Sequence, residues 1–246
     1  MHPPQSPRIP PLYRSFTAPL HAAAMTGSLT DLVRRAQPAT LLRLFLGILL
    51  PLIVLGLIGE DVLEKERFAF ETPAMLWLHG HAGGALTAFS VFMNYFGGPV
   101  VMGVVIVLLP TIFWFTRHRP QALFALLALG GAAGVQAIMK RIFQRPRPEL
   151  WPRLVAETGA SFPSGHSTVA AALAVLVVLL LWPTRLRWPA LVLGAGYYAL
   201  MALSRVVLGV HYPTDVLAGG LTSLVWVLGT YQILRGRLLP QNAGRA

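Results

Sequence analysis

Six long apolar stretches, separated by short polar segments, dominate the pattern of hydrophobic and polar positions along the chain. Each stretch is about 20 residues long, the length that an α-helix needs to cross the hydrocarbon core of a bilayer. The pattern therefore predicts an all-α fold, a bundle of six transmembrane helices. The predicted spans are residues 41–59, 98–116, 121–139, 164–182, 189–209 and 215–234.

The segment between the first two spans is longer than the other connections and changes character along its length. It reads EDVLEKERFAFETPAMLWLHGHAGGALTAFSVFMNYF, charged at its start and amphipathic and aromatic toward its end. Such a pattern is typical of helices that lie in the plane of the membrane interface. We therefore expect one or two interfacial helices between spans one and two.

Both ends of the chain are predicted to lie outside the bundle. Residues 1–39 are rich in proline, alanine and arginine and lack the apolar core of a secretory signal peptide. We expect a flexible N-terminal tail over residues 1–39, one membrane domain over residues 40–236 and a C-terminal tail over residues 237–246. Met25 offers an alternative start, under which residues 1–24 are not translated.

Composition agrees with a membrane protein and excludes several kinds of chemistry. Hydrophobic residues make up 55% of the chain and charged residues only 12%. The absence of cysteine excludes disulfides, thiolate catalysis and cysteine-based metal sites. A net charge of +11 would suggest nucleic-acid binding in a soluble protein. In a membrane protein it reports instead where basic residues lie relative to the bilayer, and we expect no nucleic-acid partner.

The distribution of lysine and arginine predicts the orientation in the membrane. If the N-terminus is cytoplasmic, most of the 20 basic residues fall in cytoplasmic segments, so the positive-inside rule places both termini in the cytoplasm. One outer segment breaks this rule. KRIFQRPRPELWPR, residues 140–153, carries five basic residues between spans three and four. An exception of this size indicates an anion-binding site at the outer face.

Three polar clusters lie at span ends that this topology brings to one membrane face. Lys140 and Arg147 follow span three, PSGH at residues 163–166 opens span four, and SRVVLGVHYPTD at residues 204–215 joins spans five and six. Lysine supplies a compact positive charge, and arginine forks match pairs of phosphate oxygens. Lys140, Arg147 and Arg205 together therefore predict a phosphate-bearing ligand.

The start of span four is a second candidate for phosphate contact. Ser164 is a good helix N-cap, and Gly165 lets a ligand approach the backbone closely. The free N–H groups of the first helical turn would then point at an anion. His166 stands in the same turn, where it can give a proton to a leaving oxygen and later take one from water.

The connection between spans five and six carries the candidate nucleophile. We expect Arg205 to end span five as a helix, Gly209 to break it and Pro213 to begin span six. His211 then lies in the connection, with Asp215 in the first turn of the next helix. The carboxylate can hold the Nδ1 proton of His211 and leave Nε2 free to attack phosphorus, giving a phosphohistidine.

These clusters resemble the signature of the type 2 phosphatidic acid phosphatase family, whose integral-membrane members carry K-x6-R-P, P-S-G-H and S-R-x5-H-x3-D. Residues 140–148, 163–166 and 204–215 match every spacing. The resemblance implies a six-helix bundle, metal-independent hydrolysis of lipid phosphomonoesters or diphosphates without a cofactor, and the roles given above. The chain before residue 140 carries no signature, so we expect substrate choice to depend on that part.

The leading hypothesis is a lipid phosphatase of a bacterial inner membrane, with its site on the outer, periplasmic side. Undecaprenyl diphosphate is slightly favoured as substrate, with phosphatidylglycerophosphate and phosphatidate as alternatives. The surplus outer residues Arg141, Arg145 and Arg153 are expected to anchor lipid head groups. Alternatively, they extend the positively charged surface at the entrance to the site, so that it can bind a second phosphate. This alternative is the reason for favouring the diphosphate.

Two other functions are compatible with the same residues. A phosphohistidine can pass its phosphoryl group to another lipid instead of water. From a different class of protein, a lipid transporter or scramblase is the alternative, although transporters usually place charged residues near the bilayer midplane. Here the polar clusters lie at span ends on one side. The pattern leaves the oligomeric state open.

Overall fold

The fold is described by a computed structural model over residues 38–66 and 68–238, where the backbone forms helices and the connections between them. The first helix, α1, covers Pro38–Leu63 and contains a π-helical segment at Phe45–Leu49. No strand occurs in these two ranges, so the predicted all-α fold is confirmed for them. The helices are α1 Pro38–Leu63, α2 Glu71–His81, α3 Gly84–Phe96, α4 Pro99–Phe115, α5 Arg119–Phe143, α6 Gly165–Leu181, α7 Arg187–Val207 and α8 Pro213–Leu238.

The six predicted spans each coincide with one helix, namely α1, α4, α5, α6, α7 and α8. Helices α1, α5, α7 and α8 are long and apolar enough to cross a membrane. Helices α3 and α4 meet the same criterion only as one span bent by 46°, and the apolar helix α6 has 17 residues. The chain is therefore a multi-pass membrane protein, whereas the number of six spans stays a prediction.

Helices α2 and α3 occupy the segment for which interfacial helices were expected. Their existence agrees with the pattern, but their position in the interface plane stays a prediction. The expected tails fall almost entirely outside the described residues, although the helices include residues 38 and 39 at one end and 237 and 238 at the other. From Leu41 onward, the described residues belong to one compact unit.

Helices α5, α6 and α8 form the centre of the bundle. Helix α7 packs on α6, α4 packs on α5, and α1 packs on α8. Alanine is frequent on the buried faces, which lets the helix backbones approach one another closely. The largest cluster of buried side chains consists of Phe124, Ala125, Ala128, Leu129, Ala132, Ala172, Leu176, Val227 and Leu234.

The helix ends that carry the sequence motifs form as predicted. Ser164 caps α6, where its hydroxyl oxygen accepts from the backbone N–H of Ser167 at 3.4 Å. Helix α7 ends at Val207, and Gly209 adopts a φ of +69°, a conformation that suits glycine. Helix α8 then begins at Pro213. The connection between α7 and α8 is thereby held in one short turn.

Direct contacts between α6 and α8 fix the two helix starts against each other. The backbone N–H of Ser164 donates to the carbonyl oxygen of Asp215 at 3.0 Å, and the hydroxyl of Ser223 donates to the carbonyl oxygen of Thr168 at 2.6 Å. Gly219 makes this approach possible. A Cβ atom there would lie 2.8 Å from the carbonyl oxygen of Ser164, which is too close for any side chain.

We predict that Gly219→Ala lowers the stability of the protein, because the added methyl group forces α8 away from the first turn of α6. Overpacking of this kind costs about 1–3 kcal/mol. Gly229→Ala is the matched control on the same helix, since a Cβ there meets nothing within 4 Å. Thermal unfolding in detergent measures both variants, and equal midpoints for the two would contradict the close approach.

Candidate active site

The predicted site residues converge at the end of the bundle where α5 and α7 finish and α6 and α8 begin. They come from six places: the last turn of α5, the connection after α5, the first turn of α6 with its N-cap, the last turn of α7, the connection after α7 and the first turn of α8. All are at least nine-tenths buried except Lys140 and Gly165, which are partly buried. The buried members are Arg147, Ser164, His166, Arg205, His211 and Asp215.

His211 lies between a carboxylate and a guanidinium. Its Nδ1 is 3.5 Å from Oδ2 of Asp215, and its Nε2 is 3.2 Å from Nη1 of Arg147, which donates to it. Burial lowers the pKa of His211 to about 4, so the imidazole is neutral near pH 7. This arrangement places the Nδ1 proton on the Asp215 side and leaves the Nε2 lone pair facing Arg147.

Asp215 is held by donors other than His211, whose Nδ1 faces it at 3.5 Å without forming a hydrogen bond. Its Oδ2 accepts from the backbone N–H of Tyr212 at 2.9 Å, and its Oδ1 accepts from Nη1 of Arg145 at 2.7 Å. The side chain is 0% exposed. A buried carboxylate needs such compensation, because leaving it unpaired is costly.

Arg147 spreads its donors over the connections that flank the site. Nη1 donates to the carbonyl oxygen of Val210 at 3.0 Å, in addition to its contact with His211. Nη2 and Nε donate to the carbonyl oxygens of Thr158 and Gly159 at 3.0 and 3.1 Å. Arg147 therefore joins the α5–α6 connection to the α7–α8 connection while it faces the candidate nucleophile.

Arg205 is completely buried and points into the same space. Its Nη1 donates to Oδ1 of Asn94 at 2.5 Å, and its Nη2 forms an ion pair with Oε1 of Glu157. The Nε atom has no hydrogen-bond partner among the described residues. A buried guanidinium with an unused donor fits a ligand with acceptor oxygens.

His166 presents its two ring nitrogens to different partners. Nε2 lies 3.1 Å from the backbone carbonyl oxygen of Asn94, so this nitrogen carries a proton and donates. Nδ1 is 3.9 Å from Oε1 of Glu157. The nitrogen that faces the shared space is therefore Nδ1.

The start of α6 contributes backbone donors to the same space. The N–H of Ser164 is used by Asp215, and the N–H of Ser167 is used by the Ser164 hydroxyl. Among the described residues, nothing accepts from the N–H groups of Gly165 and His166. These two donors, at the positive end of a helix dipole, are the ones available to an anion.

Lys140 lies at the edge of the site, in the last turn of α5. It lines an open cavity of about 650 Å³, together with Arg141 and Gly159. It is near enough to Arg147, Arg205 and Glu157 to interact with them electrostatically. The structure thus brings Lys140 to the rim rather than into direct contact with the two histidines.

Glu157 is the site residue that sequence reasoning missed. Its two carboxylate oxygens lie among three predicted residues, because Oε1 pairs with Arg205 and approaches His166, while Oε2 is 3.3 Å from Nη2 of Arg147. Burial alone would raise the pKa of Glu157, but Arg205, followed by His166 and Arg147, lowers it below the ordinary value. An ionised carboxylate thus lies where the cations converge.

Arg145 differs from its expected role as a head-group anchor. Its side chain is 9% exposed and donates to Oδ1 of Asp215 and to Oε2 of Glu71, both at 2.7 Å. It also donates to the hydroxyl of Thr214 at 2.8 Å and lies over the ring of Tyr212. The expectation was wrong for Arg145, because its charge is paired with two buried carboxylates and does not face the lipid head groups.

Comparison with known proteins identifies the family. A model of the PAP2 superfamily matches residues 121–238. The decaprenylphosphoryl-5-phosphoribose phosphatase of Mycobacterium tuberculosis is 32% identical over 131 residues, which cover 52% of this chain and 68% of that protein. The chain belongs to the PAP2 superfamily. The resemblance that the three motifs indicated is thereby confirmed.

Other PAP2 relatives carry different names. Phosphatidylglycerophosphatase B of Bacillus subtilis is 30% identical over 132 residues, covering 52% of this chain and 64% of that protein, so the chain spans less than two thirds of it. Undecaprenyl-diphosphatase BcrC of the same organism is 29% identical over 161 residues, covering 60% and 76%.

A solved PAP2 structure has the same fold. It is the crystal structure of a transmembrane PAP2 type phosphatidylglycerolphosphate phosphatase from Bacillus subtilis. It is similar to this chain with a TM-score of 0.64 and 24% identity, over 78% of this chain and 98% of that chain.

The PAP2 match contains all the site residues that the sequence predicted, but two partners lie before it. Glu71 on α2 and Asn94 on α3 reach the site from outside residues 121–238. Glu71 is the one acid of α2, and its carboxylate also accepts from the backbone N–H of Thr214 at 3.2 Å. An isolated acid at a helix start was the available signal, although many such acids only cap helices.

We predict that Arg145→Met strongly destabilises this PAP2 protein. The change leaves Asp215 and Glu71 as buried carboxylates without their shared cation, a loss that typically costs about 3–5 kcal/mol. Arg141→Met, an exposed position on α5, is the matched control and should change stability by less than about 0.5 kcal/mol. Thermal unfolding compares the two, and a similar loss in both would argue against the buried pairs.

Proposed function

We propose that this protein is a membrane lipid phosphatase that hydrolyses a phosphomonoester or diphosphate through a phosphohistidine. The observation that carries the proposal is the convergence of two buried histidines with Arg147, Arg205 and two free N–H groups. We place the site at the outer, periplasmic face of a bacterial inner membrane, with both termini in the cytoplasm. Lipid tails then stay in the bilayer while the head group meets the helix ends.

In the first step, Nε2 of His211 attacks phosphorus and the bond to the leaving oxygen breaks. Asp215 holds the Nδ1 proton of His211 and stabilises the positive charge that the ring gains. His166 is buried, so in the free protein its ring is neutral and its one proton is the Nε2 proton that is donated to Asn94. A phosphate that binds as its singly protonated form passes its proton to Nδ1 of His166, and the leaving oxygen then takes that proton from Nδ1 as the bond breaks. The product of this step is a phosphohistidine and a free lipid alcohol or lipid monophosphate.

In the second step, water attacks the phosphohistidine and inorganic phosphate leaves. His166 accepts a proton from the water as the phosphorus–nitrogen bond breaks, and the lone pair returns to Nε2 of His211. Charge on the equatorial oxygens is stabilised by Arg147, Arg205 and the N–H groups at the start of α6. Lys140 at the rim adds a positive charge along the path of the head group.

Glu157 occupies the space that the phosphate needs. Its carboxylate pairs with the same guanidinium groups that would bind phosphate oxygens. The arriving phosphate therefore replaces the Glu157 carboxylate as the partner of the two arginines. The arginines are never left as unpaired buried charges. After the exchange, Glu157 remains close enough to His166 to pair with its protonated ring.

Undecaprenyl diphosphate is the substrate we favour. The name of one relative supports it, as does the open cavity that Lys140 and Arg141 line, which has room for a second phosphate. Arg145 also lines this cavity, but its charge is paired with Asp215 and Glu71, and Arg153 donates to the carbonyl oxygen of Pro148 at 3.1 Å. Phosphatidylglycerophosphate is the second candidate, supported by the names of a relative and of the solved structure.

We predict that the purified protein releases inorganic phosphate from undecaprenyl diphosphate, and that EDTA leaves the rate unchanged. His211→Ala should lower the rate by about 10³-fold or more, because the nucleophile is gone. His118→Ala is the matched control, since His118 lies at the other end of the bundle before α5. A parallel assay uses phosphatidylglycerophosphate and phosphatidate.

Three results would overturn parts of this proposal. Complete loss of activity in EDTA would contradict the metal-free mechanism. Transfer of the phosphoryl group to an added lipid without phosphate release would identify a phosphotransferase. Full lipid movement across vesicles by His211→Ala, with no phosphate release by the wild type, would identify a transporter.

We predict that Glu157→Gln makes the enzyme about tenfold more sensitive to inhibition by inorganic phosphate. The variant keeps the side chain but removes the negative charge that competes for Arg147 and Arg205, and tenfold corresponds to about 1.4 kcal/mol. Glu149→Gln is the control, because Glu149 is an exposed acid in the same connection. Inhibition constants measure the effect, and an unchanged value for Glu157→Gln would exclude the competition.

A further inference from the structure

A second cavity, which we name the inner cavity, lies away from the phosphate site. It has a volume of about 680 Å³ and lies between α1, α6, α7 and α8. Volumes of this size are typical of pockets for small molecules. Its walls are mostly aliphatic, with Leu224, Leu228 and Val178 among them.

Small residues create the inner cavity, and one tyrosine closes it. Ala174, Gly194 and Gly220 line it where larger side chains would fill it. A Cβ atom on Gly220 would lie 2.2 Å from the hydroxyl oxygen of Tyr198, which shows how tightly the tyrosine covers this end. The Tyr198 hydroxyl donates to the carbonyl oxygen of Val216 at 3.0 Å, so the ring is fixed as an end wall.

The inner cavity is long enough for a lipid tail. On α8 its lining runs from Gly220 to Arg235, about 22 Å along a helix axis. One leaflet of a bilayer contributes about 15 Å of hydrocarbon. An acyl chain that begins near Arg235 can therefore extend to Tyr198 without leaving the cavity.

Two arginines mark the other end of the inner cavity. Gly47 on α1 approaches Leu228 on α8, where an added Cβ would be 3.0 Å from the leucine side chain. Arg43 lies one turn before Gly47, and Gln232 and Arg235 lie one and two turns after Leu228. Because α1 and α8 run in opposite directions at this contact, the three polar side chains belong to the same end. All three line the cavity.

No described acid lies near this end to neutralise the two arginines. Within residues 38–66 and 68–238, the acids fall on the last turns of α1 or just after it, at the starts of α2 and α8, or in the α5–α6 connection. They are Glu60, Asp61, Glu64, Glu66, Glu71, Glu149, Glu157 and Asp215. An apolar tunnel that opens beside two uncompensated cations complements an amphiphile with an anionic head group.

We propose that the inner cavity binds one anionic phospholipid, with its phosphate at Arg43 and Arg235 and an acyl chain against Leu224 and Tyr198. Trp182 at the same end suits the level of lipid head groups. The bound lipid is not the substrate, because its head group at Arg235 and the phosphate site at Asp215 lie at opposite ends of α8. The proposal therefore goes beyond the phosphatase function and does not depend on it.

The test uses Trp182 as a reporter of the bound chain. The full protein is reconstituted in phosphatidylcholine vesicles that contain a minor fraction of lipid with brominated acyl chains, which quench nearby tryptophan. The fluorescence of Trp182 is obtained as the difference between wild type and Trp182→Phe. We expect brominated phosphatidylglycerol to quench this signal at concentrations at least about fivefold lower than brominated phosphatidylcholine, since each arginine contributes about 1 kcal/mol.

Variants separate the head-group contact from the tail contact. The double variant Arg43→Gln with Arg235→Gln should lose the preference for phosphatidylglycerol. Arg237→Gln, an exposed arginine of the same helix turn that does not line the cavity, should keep it. Ala195→Phe fills the cavity without changing charge and should weaken quenching by both lipids.

Equal quenching by the two lipids, or a preference that survives in the double variant, would overturn the proposal. So would unchanged quenching in Ala195→Phe. Thermal unfolding of each variant verifies that it is folded before the comparison is made. Because the readout is lipid binding, a negative phosphatase assay leaves this result unaffected, and a negative quenching result leaves the phosphatase proposal unaffected.

Discussion

The buried carboxylate of Asp215 is the point on which the rest of the site depends. Its side chain accepts from Arg145 and from the backbone of Tyr212 and faces Nδ1 of His211, while its carbonyl oxygen accepts from the N–H of Ser164. One residue therefore aligns the start of α6 with the start of α8 and orients the candidate nucleophile. An ionised group with no exposed surface requires this many hydrogen-bond and ion-pair partners. The connections around Asp215 therefore carry many hydrogen bonds.

Charge balance explains the second layer of the site. Burying the charges of Arg147 and Arg205 without an anion would cost free energy. Glu157 supplies that anion. Glu71 does the same for Arg145. The free protein is thus neutralised by its own carboxylates, in a space that suits a phosphate. In the proposed function, phosphate binding then depends on how much more strongly the arginines attract phosphate than the Glu157 carboxylate.

Much of the fold and part of the site followed from the sequence. Apolar length predicted the helices, and fixed spacings predicted that Arg147, His166, Arg205 and His211 would meet. Arg145 was misjudged because a basic residue in an outer loop has the same local pattern whether it meets lipid or a buried acid. Glu157 was missed because a single acid in a connection carries no periodic signal, and its partners lie 10 and 48 residues away.

The sequence alone determined that the chain crosses a membrane, at which end of the bundle the candidate phosphate-binding residues gather, and which histidine stands beside Asp215. These features follow from local properties: hydrophobic length, helix capping and short spacings along one chain. Only the tertiary structure decided which charges are paired and that the carboxylate of Glu157 lies between the arginines. It also decided that small residues leave an open cavity that ends at Arg43 and Arg235. Those features depend on contacts between distant segments, and the energy of a buried charge or an unfilled space is set by neighbours that no local pattern specifies.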